Sequence, residues 1–245
     1  MVVLSSAACC VAGAQDEAVP KLHSLTVRQE GRVIHLWLAV FSANKFSVRV
    51  IDNDAPGDGF RFPDLAAAMK AEGCVAGCNA SFFDRHPFDP VGLAISDGRK
   101  SGRFDPKSWM KGLLVVRAGG PSLESTEGFH PEQAGVVALI QSGPWLVRAG
   151  KSETDNSKRP QAARTFIGHN GSGDWFIGTS DACSLQELAT LLRGEIVRAV
   201  IEVQGALNFD GGPSTCLWLK RKYSDFYLRE GASVRNFIGL VPKKP

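Results

Sequence analysis

The chain has 245 residues, 44% of them hydrophobic and 22% charged, and a formal net charge of +3. That length builds one sizeable domain or two small ones, and the composition excludes a disordered or fibrous chain. The charge is too small and too scattered for a nucleic-acid surface; Lys220-Arg221-Lys222 and Lys243-Lys244 read as solvated runs.

Residues 2–14 carry no charge, and Ala12-Gly13-Ala14 fits the small-x-small pattern before a signal-peptidase cut. This predicts a signal peptide over 1–14, although its usual positive start is missing, and an exported mature domain over 15–245, periplasmic or extracellular. No other segment reaches the 18 or more apolar residues of a membrane span. Removing the leader leaves Cys74, Cys78, Cys183 and Cys216. In an oxidising compartment these four allow three disulfide pairings, with buried free thiols as the alternative.

Strands are predicted over 24–33 and 34–41, as a hairpin around Glu30-Gly31, and over 46–51. Residues 52–60 are polar and rich in Gly and Pro, hence loop. Residues 64–72 read as a short helix stopped by Gly73, followed by a buried strand over 74–78. Further strands are expected over 112–117, 136–141, 145–147, 165–168 and 175–178, with a surface loop over 152–161. Ser184-Leu185-Gln186-Glu187 is a capping box opening a helix whose leucine stripe faces the core and which Gly194 ends. Apolar runs at 199–203 and 216–219 flank Asn208-Phe209-Asp210-Gly211-Gly212-Pro213-Ser214-Thr215, which reads as a hairpin turn. Many strands with a few short helices give a single α+β domain around a mixed or mostly antiparallel sheet.

Strand ends that lead into irregular loops are where a rigid sheet aims functional groups. Four such places stand out: 79–93, 141–144, 159–165 and the Asp210 turn, with Ser180-Asp181 beside the capped helix. At the turn, two glycines free backbone N–H groups to hold an anion, and Asp210 is placed for acid or base work. Asp84-x-His86-x-x-Asp89 has metal-capable side chains at no metal-binding spacing, so no metal or other cofactor is assigned. A nucleophile elbow, a His-Glu-x-x-His helix, a P-loop and a dinucleotide fingerprint are all absent from the sequence.

Six segments, in order, resemble the phosphodiester glycosidase family: Asn79-Ala80-Ser81-Phe82-Phe83-Asp84; Pro90-Val91-Gly92-Leu93 with Asp97-Gly98; Gln141-Ser142-Gly143-Pro144-Trp145-Leu146-Val147; Ala163-Arg164-Thr165-Phe166-Ile167-Gly168; the capped helix; and Ala206 to Thr215. Ala80 and Ser81 stand where the family has a glycine pair, and Pro213 where it has a glycine, which removes one N–H donor. The resemblance implies hydrolysis of a sugar-1-phosphodiester, such as an N-acetylglucosamine-1-phosphodiester, at the anomeric C–O bond, in envelope or exopolysaccharide metabolism. It implies catalytic carboxylates Asp210, Asp84 and Asp181, with Asp210 as nucleophile or base at C1. Arg164, Gly211 and Gly212 would then hold the phosphate, while Asn79, Ser81, Asn208 and Ser214 bind the substrate. Alternative readings are a non-catalytic envelope glycan-binding module, or a hydrolase of another exported glycan.

Overall fold

The computed structural model describes residues 18–29, 31–56, 59–85, 88–133, 135–153 and 160–244; the expected leader, Glu30 and His86 lie outside them. The first hairpin forms, with strand Lys21–Gln29 antiparallel to Arg32–Ser42. Strand Asp174–Cys183 pairs with the second of these, Ala162–His169 comes next, then Gly205–Asn208, Trp145–Arg148 and Lys151–Ser152, completing a seven-stranded first sheet. The second sheet runs Gly120–Ser125, Gly112–Arg117, Ala138–Ser142, Ala94–Ser96, Arg99–Ser101. The third runs Phe226–Leu228, Leu217–Leu219, Ala76–Asn79, Asn236–Pro242, Phe46–Asp52. Among the described residues every ladder is antiparallel, so the mixed option falls away.

All three sheets contribute to one apolar centre: Ile167, Ile177 and Leu207 from the first, Leu114 and Ile140 from the second, Val48, Val50, Leu217 and Ile238 from the third. The outer face of the first sheet is covered as well. Helix Leu185–Arg193 packs Leu188, Leu191 and Leu192 onto Ile34, Leu36, Leu38, Phe166 and Phe176. Each such buried leucine contributes about 1.5–3 kcal/mol of transfer free energy. Burial on both faces explains why these strands read as nearly continuous apolar runs. The capping box is present in both directions: Glu187 N–H donates to Ser184 Oγ (3.1 Å), and Ser184 N–H to Glu187 Oε2 (2.7 Å). Helix Leu65–Ala71, capped by Asp64 Oδ1 accepting from Ala67 N–H (2.8 Å), covers the third sheet at Trp218 and Phe237. Among the described residues no helix is long and apolar enough to cross a membrane.

Three expectations are corrected. Residues 199–203 form no strand; a short helix, Glu195–Arg198, precedes them, and Ile201 and Val203 bury their side chains against the outer face of the first sheet. The strand lies further on, at Gly205–Asn208. The segment 52–60 is not all loop, because Asp54–Ala55 pairs with Gly59–Phe60. The Asp210 turn is not a hairpin. Its flanking strands, Gly205–Asn208 and Leu217–Leu219, belong to the first and third sheets, so the turn is a crossover between layers.

Cys74, Cys78, Cys183 and Cys216 are all buried free thiols. Cys78 faces the apolar centre, whereas Cys216 lies on the opposite face of its sheet beside Cys74 and Trp218. Burial pushes these thiols up, Cys74 to about 12. Because the thiolate is the reactive form, the folded protein is expected to leave all four unlabelled by a thiol reagent at pH 8, and to release them on denaturation. Rapid labelling of the folded chain would contradict this burial.

Candidate active site

The crossover is fixed by a single amide. Asn79, at the end of strand Ala76–Asn79, has no exposed surface. Its Nδ2 donates to the Asp210 carbonyl (2.7 Å), and its Oδ1 accepts from Thr165 Oγ1 (2.7 Å) and from Cys216 N–H (3.1 Å). Asp210 N–H donates to the Ala80 carbonyl (3.0 Å), and Phe209 N–H to the Thr165 carbonyl (2.8 Å). The turn is thereby tied to both sheets. A Cβ on Gly211 would lie 2.6 Å from the Ala163 carbonyl oxygen, so only glycine lets the chain pass so close to the first sheet. Gly212 follows with φ +60°, a left-handed backbone that glycine adopts without strain. Pro213 sits in the short 3₁₀ turn Gly212–Ser214, at a start position where a missing N–H goes unused, and its carbonyl accepts from Gly231 N–H (2.7 Å).

The Asp210 carboxyl is mostly buried, and burial pushes its pKa above the ordinary carboxylate range. The Ser214 hydroxyl and the Gly211 N–H, the latter 2.9 Å from Oδ1, act in the opposite direction by bonding the charged form. A carboxyl with a raised pKa and two fixed donors is equipped to take or give a proton. The Gly211 N–H, expected at a phosphate, is thus turned toward Asp210 itself.

The other candidate residues divide by location. Asn208 is buried behind the turn; its Nδ2 donates to the Gly143 carbonyl (2.9 Å) and its own carbonyl accepts from Ser142 Oγ (2.7 Å). Ser81 is also buried and donates to Asn236 Oδ1 (2.5 Å). These two, like Asn79, act on the site as supports of the backbone around Asp210. Asp84 is exposed on a loop closed by its own N–H to the Asp89 carbonyl (2.9 Å). Arg164 brings its backbone against Gly211, while its guanidinium donates to the carbonyls of Cys183 (2.9 Å) and Pro160 (2.5 Å). Asp181 accepts from the backbone N–H of His35 (3.0 Å) and lies 2.6 Å from its Nδ1. Among the described residues no group of three or more His, Cys, Asp or Glu is gathered as a metal ion would need.

The sequence profile of the phosphodiester glycosidases matches residues 72–241. The chain belongs to the phosphodiester glycosidase family. That stretch includes the Asn79 clamp, the Asp210 crossover and the whole third sheet apart from Phe46–Asp52. Family membership supports a glycosidase-type function. Solved structures share the fold. The catalytic domain of zebrafish N-acetylglucosamine-1-phosphodiester α-N-acetylglucosaminidase, auto-inhibited by its pro-peptide, superposes with a TM-score of 0.67 at 18% identity, over 97% of this chain and 87% of that one. A hypothetical protein from Synechocystis gives 0.61 at 16% identity, over 91% and 62%. A protein from Burkholderia pseudomallei gives 0.53 at 13%, over 86% and 74%. None of the curated proteins matches the sequence significantly.

Two further residues of this region carried no candidate role in the sequence. Thr165 was visible, next to Arg164 in a matching segment, and its hydroxyl makes one of the three hydrogen bonds of the Asn79 clamp. His35 had no local signal. Only the pairing of strands Arg32–Ser42 and Asp174–Cys183 brings it to Asp181.

Proposed function

We propose that the chain hydrolyses a sugar-1-phosphodiester at the anomeric C–O bond, on a substrate of the N-acetylglucosamine-1-phosphodiester class. The observation that carries this reading is Asp210, a mostly buried carboxyl with a raised pKa, held on a backbone that two sheets fix. Such a reaction passes through an oxocarbenium-like sugar and expels a phosphomonoester. It needs a carboxylate at C1 and cationic donors where the phosphate departs. Asp210 serves as the base that deprotonates the attacking water, and Ser214 and the Gly211 N–H keep its orientation. Arg164, at the same end of the first sheet, contributes the planar cation suited to phosphate oxygens.

A panel of sugar-1-phosphodiesters and matched phosphate-free glycosides tests the reading. Turnover is expected on the diesters alone, and release of free sugar only from the phosphate-free glycosides would refute it. Arg164→Ala is expected to lower kcat/KM on a diester by about 10²-fold, the scale of a lost charge-assisted contact to the phosphate. An equal loss on a phosphate-free glycoside would remove the phosphate role from Arg164.

A further inference from the structure

The donors nearest Asp210, the Gly211 N–H and the Ser214 hydroxyl, already bond its carboxyl, so a group that gives the departing phosphate a proton would have to lie elsewhere. The first sheet offers a source. In strand Arg32–Ser42, Ile34, Leu36 and Leu38 face the helices, while Ala39 and Phe41 face the apolar centre. Alternation along the strand therefore turns His35 and Trp37 to the inner side. Trp37 packs against the central core, with its ring centroid 5.9 Å from that of His35. The next strand places Thr179 opposite Trp37, and the one after places Thr165 opposite Thr179. Thr165 is the residue that bonds Asn79, and its carbonyl accepts from Phe209 N–H, next to Asp210. His35, Asp181, Thr165 and Asp210 thus lie along one end of one sheet. One strand separates Asp181, and two separate His35, from the strand that leads into the Asp210 turn, spacings of roughly 10 and 14 Å that a sugar phosphate and the reaching side chains can span.

This end of the sheet is also where basic side chains gather. Arg32 Nη2 donates to the Ala182 carbonyl (2.7 Å), Arg164 Nε to the Cys183 carbonyl (2.9 Å), and His35 Nδ1 meets Asp181 Oδ2 at 2.6 Å. Three basic groups, two from strand Arg32–Ser42 and one from Ala162–His169, therefore converge on residues 181–183. Between this cluster and the clamp, the Thr179 hydroxyl is buried with no hydrogen-bond partner among the described residues, a polar group set into an otherwise apolar wall.

We propose that His35 is the proton donor to the departing phosphate, with Asp181 as the positioning residue that holds its ring. The proposal rests on the phosphodiester-glycosidase reading given above. Asp181 takes the Nδ1–H, which fixes the ring and leaves Nε2–H of the imidazolium for the substrate. As the C1–O bond breaks, its electron pair stays on the phosphate oxygen and the Nε2 proton goes to that oxygen, leaving neutral imidazole. Water forms the new bond to C1 and gives its proton to Asp210. The products are free sugar and a phosphomonoester, and solvent returns both groups to their starting states. The match is chemical: imidazole is the side chain suited to passing a proton near neutral pH, the range in which a phosphomonoester takes one up. The charged groups around His35 are Asp181 on one neighbouring strand, Arg28 two residues along from its register partner Thr26 on the other, Arg32 on its own strand, and Glu187 of the covering helix, which Arg32 pairs with.

The experiment compares the wild type with His35→Gln and Asp181→Asn on an alkyl N-acetylglucosamine-1-phosphodiester, measuring kcat and KM from pH 5 to 9. His35→Gln is expected to lower kcat by about 10²–10⁴-fold with KM little changed, the usual contribution of a positioned acid. It should also abolish the fall of kcat on the alkaline side. Asp181→Asn should keep that fall and lower kcat less than His35→Gln does, because the acid is still present but has lost the group that orients its ring. A His35→Gln variant with wild-type kcat and the same alkaline fall would overturn the role of His35 and leave the enzymatic reading standing. A wild type that turns over no phosphodiester would instead overturn that reading, and this proposal with it.

Discussion

Asp210→Asn is expected to lower turnover of a sugar-1-phosphodiester by about 10²–10⁴-fold, the range for losing a positioned acid or base, while making the folded protein more stable above neutral pH. The first part follows from chemistry, since an amide has no proton affinity to offer attacking water. The second follows from burial. The folded-state pKa of Asp210 is raised, with desolvation as its largest cause. The folded protein therefore holds that proton more tightly than the unfolded chain does. The carboxyl favours folding below the ordinary carboxylate range, and that contribution is lost as pH climbs through the raised value. Asparagine carries no such penalty and still offers an oxygen to the Gly211 N–H and Ser214. Thermal unfolding from pH 3 to 8 should show the variant gaining on the wild type as pH rises, with the gap closing in acid. Unchanged turnover would end the catalytic role of Asp210. A variant less stable than the wild type at pH 8 would show that burial does not oppose the charge. A site that destabilises its own fold is a common trade in enzymes.

The second large effect is on stability. Asn79→Ala is expected to destabilise the fold by about 3–5 kcal/mol, because it leaves three buried groups without a partner at about 1–3 kcal/mol each before relaxation. Those groups are the Asp210 carbonyl, the Thr165 hydroxyl and the Cys216 N–H. In a domain of this size that is a fall in Tm on the order of 10 °C. Thr165→Val is the graded companion. It removes one donor and leaves Asn79 Oδ1 bonded to Cys216 N–H, so about 1 kcal/mol is expected. Chemical denaturation of the two variants checks the ratio. An Asn79→Ala loss no larger than that of Thr165→Val would mean that the clamp does not hold the sheets together.

The parts of this fold that were legible in the sequence are those governed by neighbours in the chain. The capping box at Ser184, the turn at Gly31 and the paired strands around Gly171 each depend on a few adjacent residues, and each is present. The run at 199–203 was misread because a short apolar stretch looks the same whether it pairs in a sheet or packs as a buried connection. Asp210-Gly211-Gly212 misled in a similar way. Its glycines suit a hairpin, but whether the next strand returns to the same sheet depends on partners far away, and strand Leu217–Leu219 finds Ala76–Asn79 instead. The ordered motifs did bring Asn79, Arg164 and Asp210 into one region. They did not reveal that Asn79, Ser81 and Asn208 are buried supports, since burial is a property of the assembled layers. His35 and Asp181 are 146 positions apart, and no local pattern joins them.

The crossover at Asp210 is expected to be among the last parts of the chain to form. Asn79 and Asp210 are separated by 131 positions and meet only when the first and third sheets have docked. Contacts of such long range form late, because the loop they close must be ordered first. The proposed hydrolytic activity would then report finished assembly. In refolding it should return after the far-ultraviolet signal of the strands, since each sheet can pair its own edges before the seam between them is sewn.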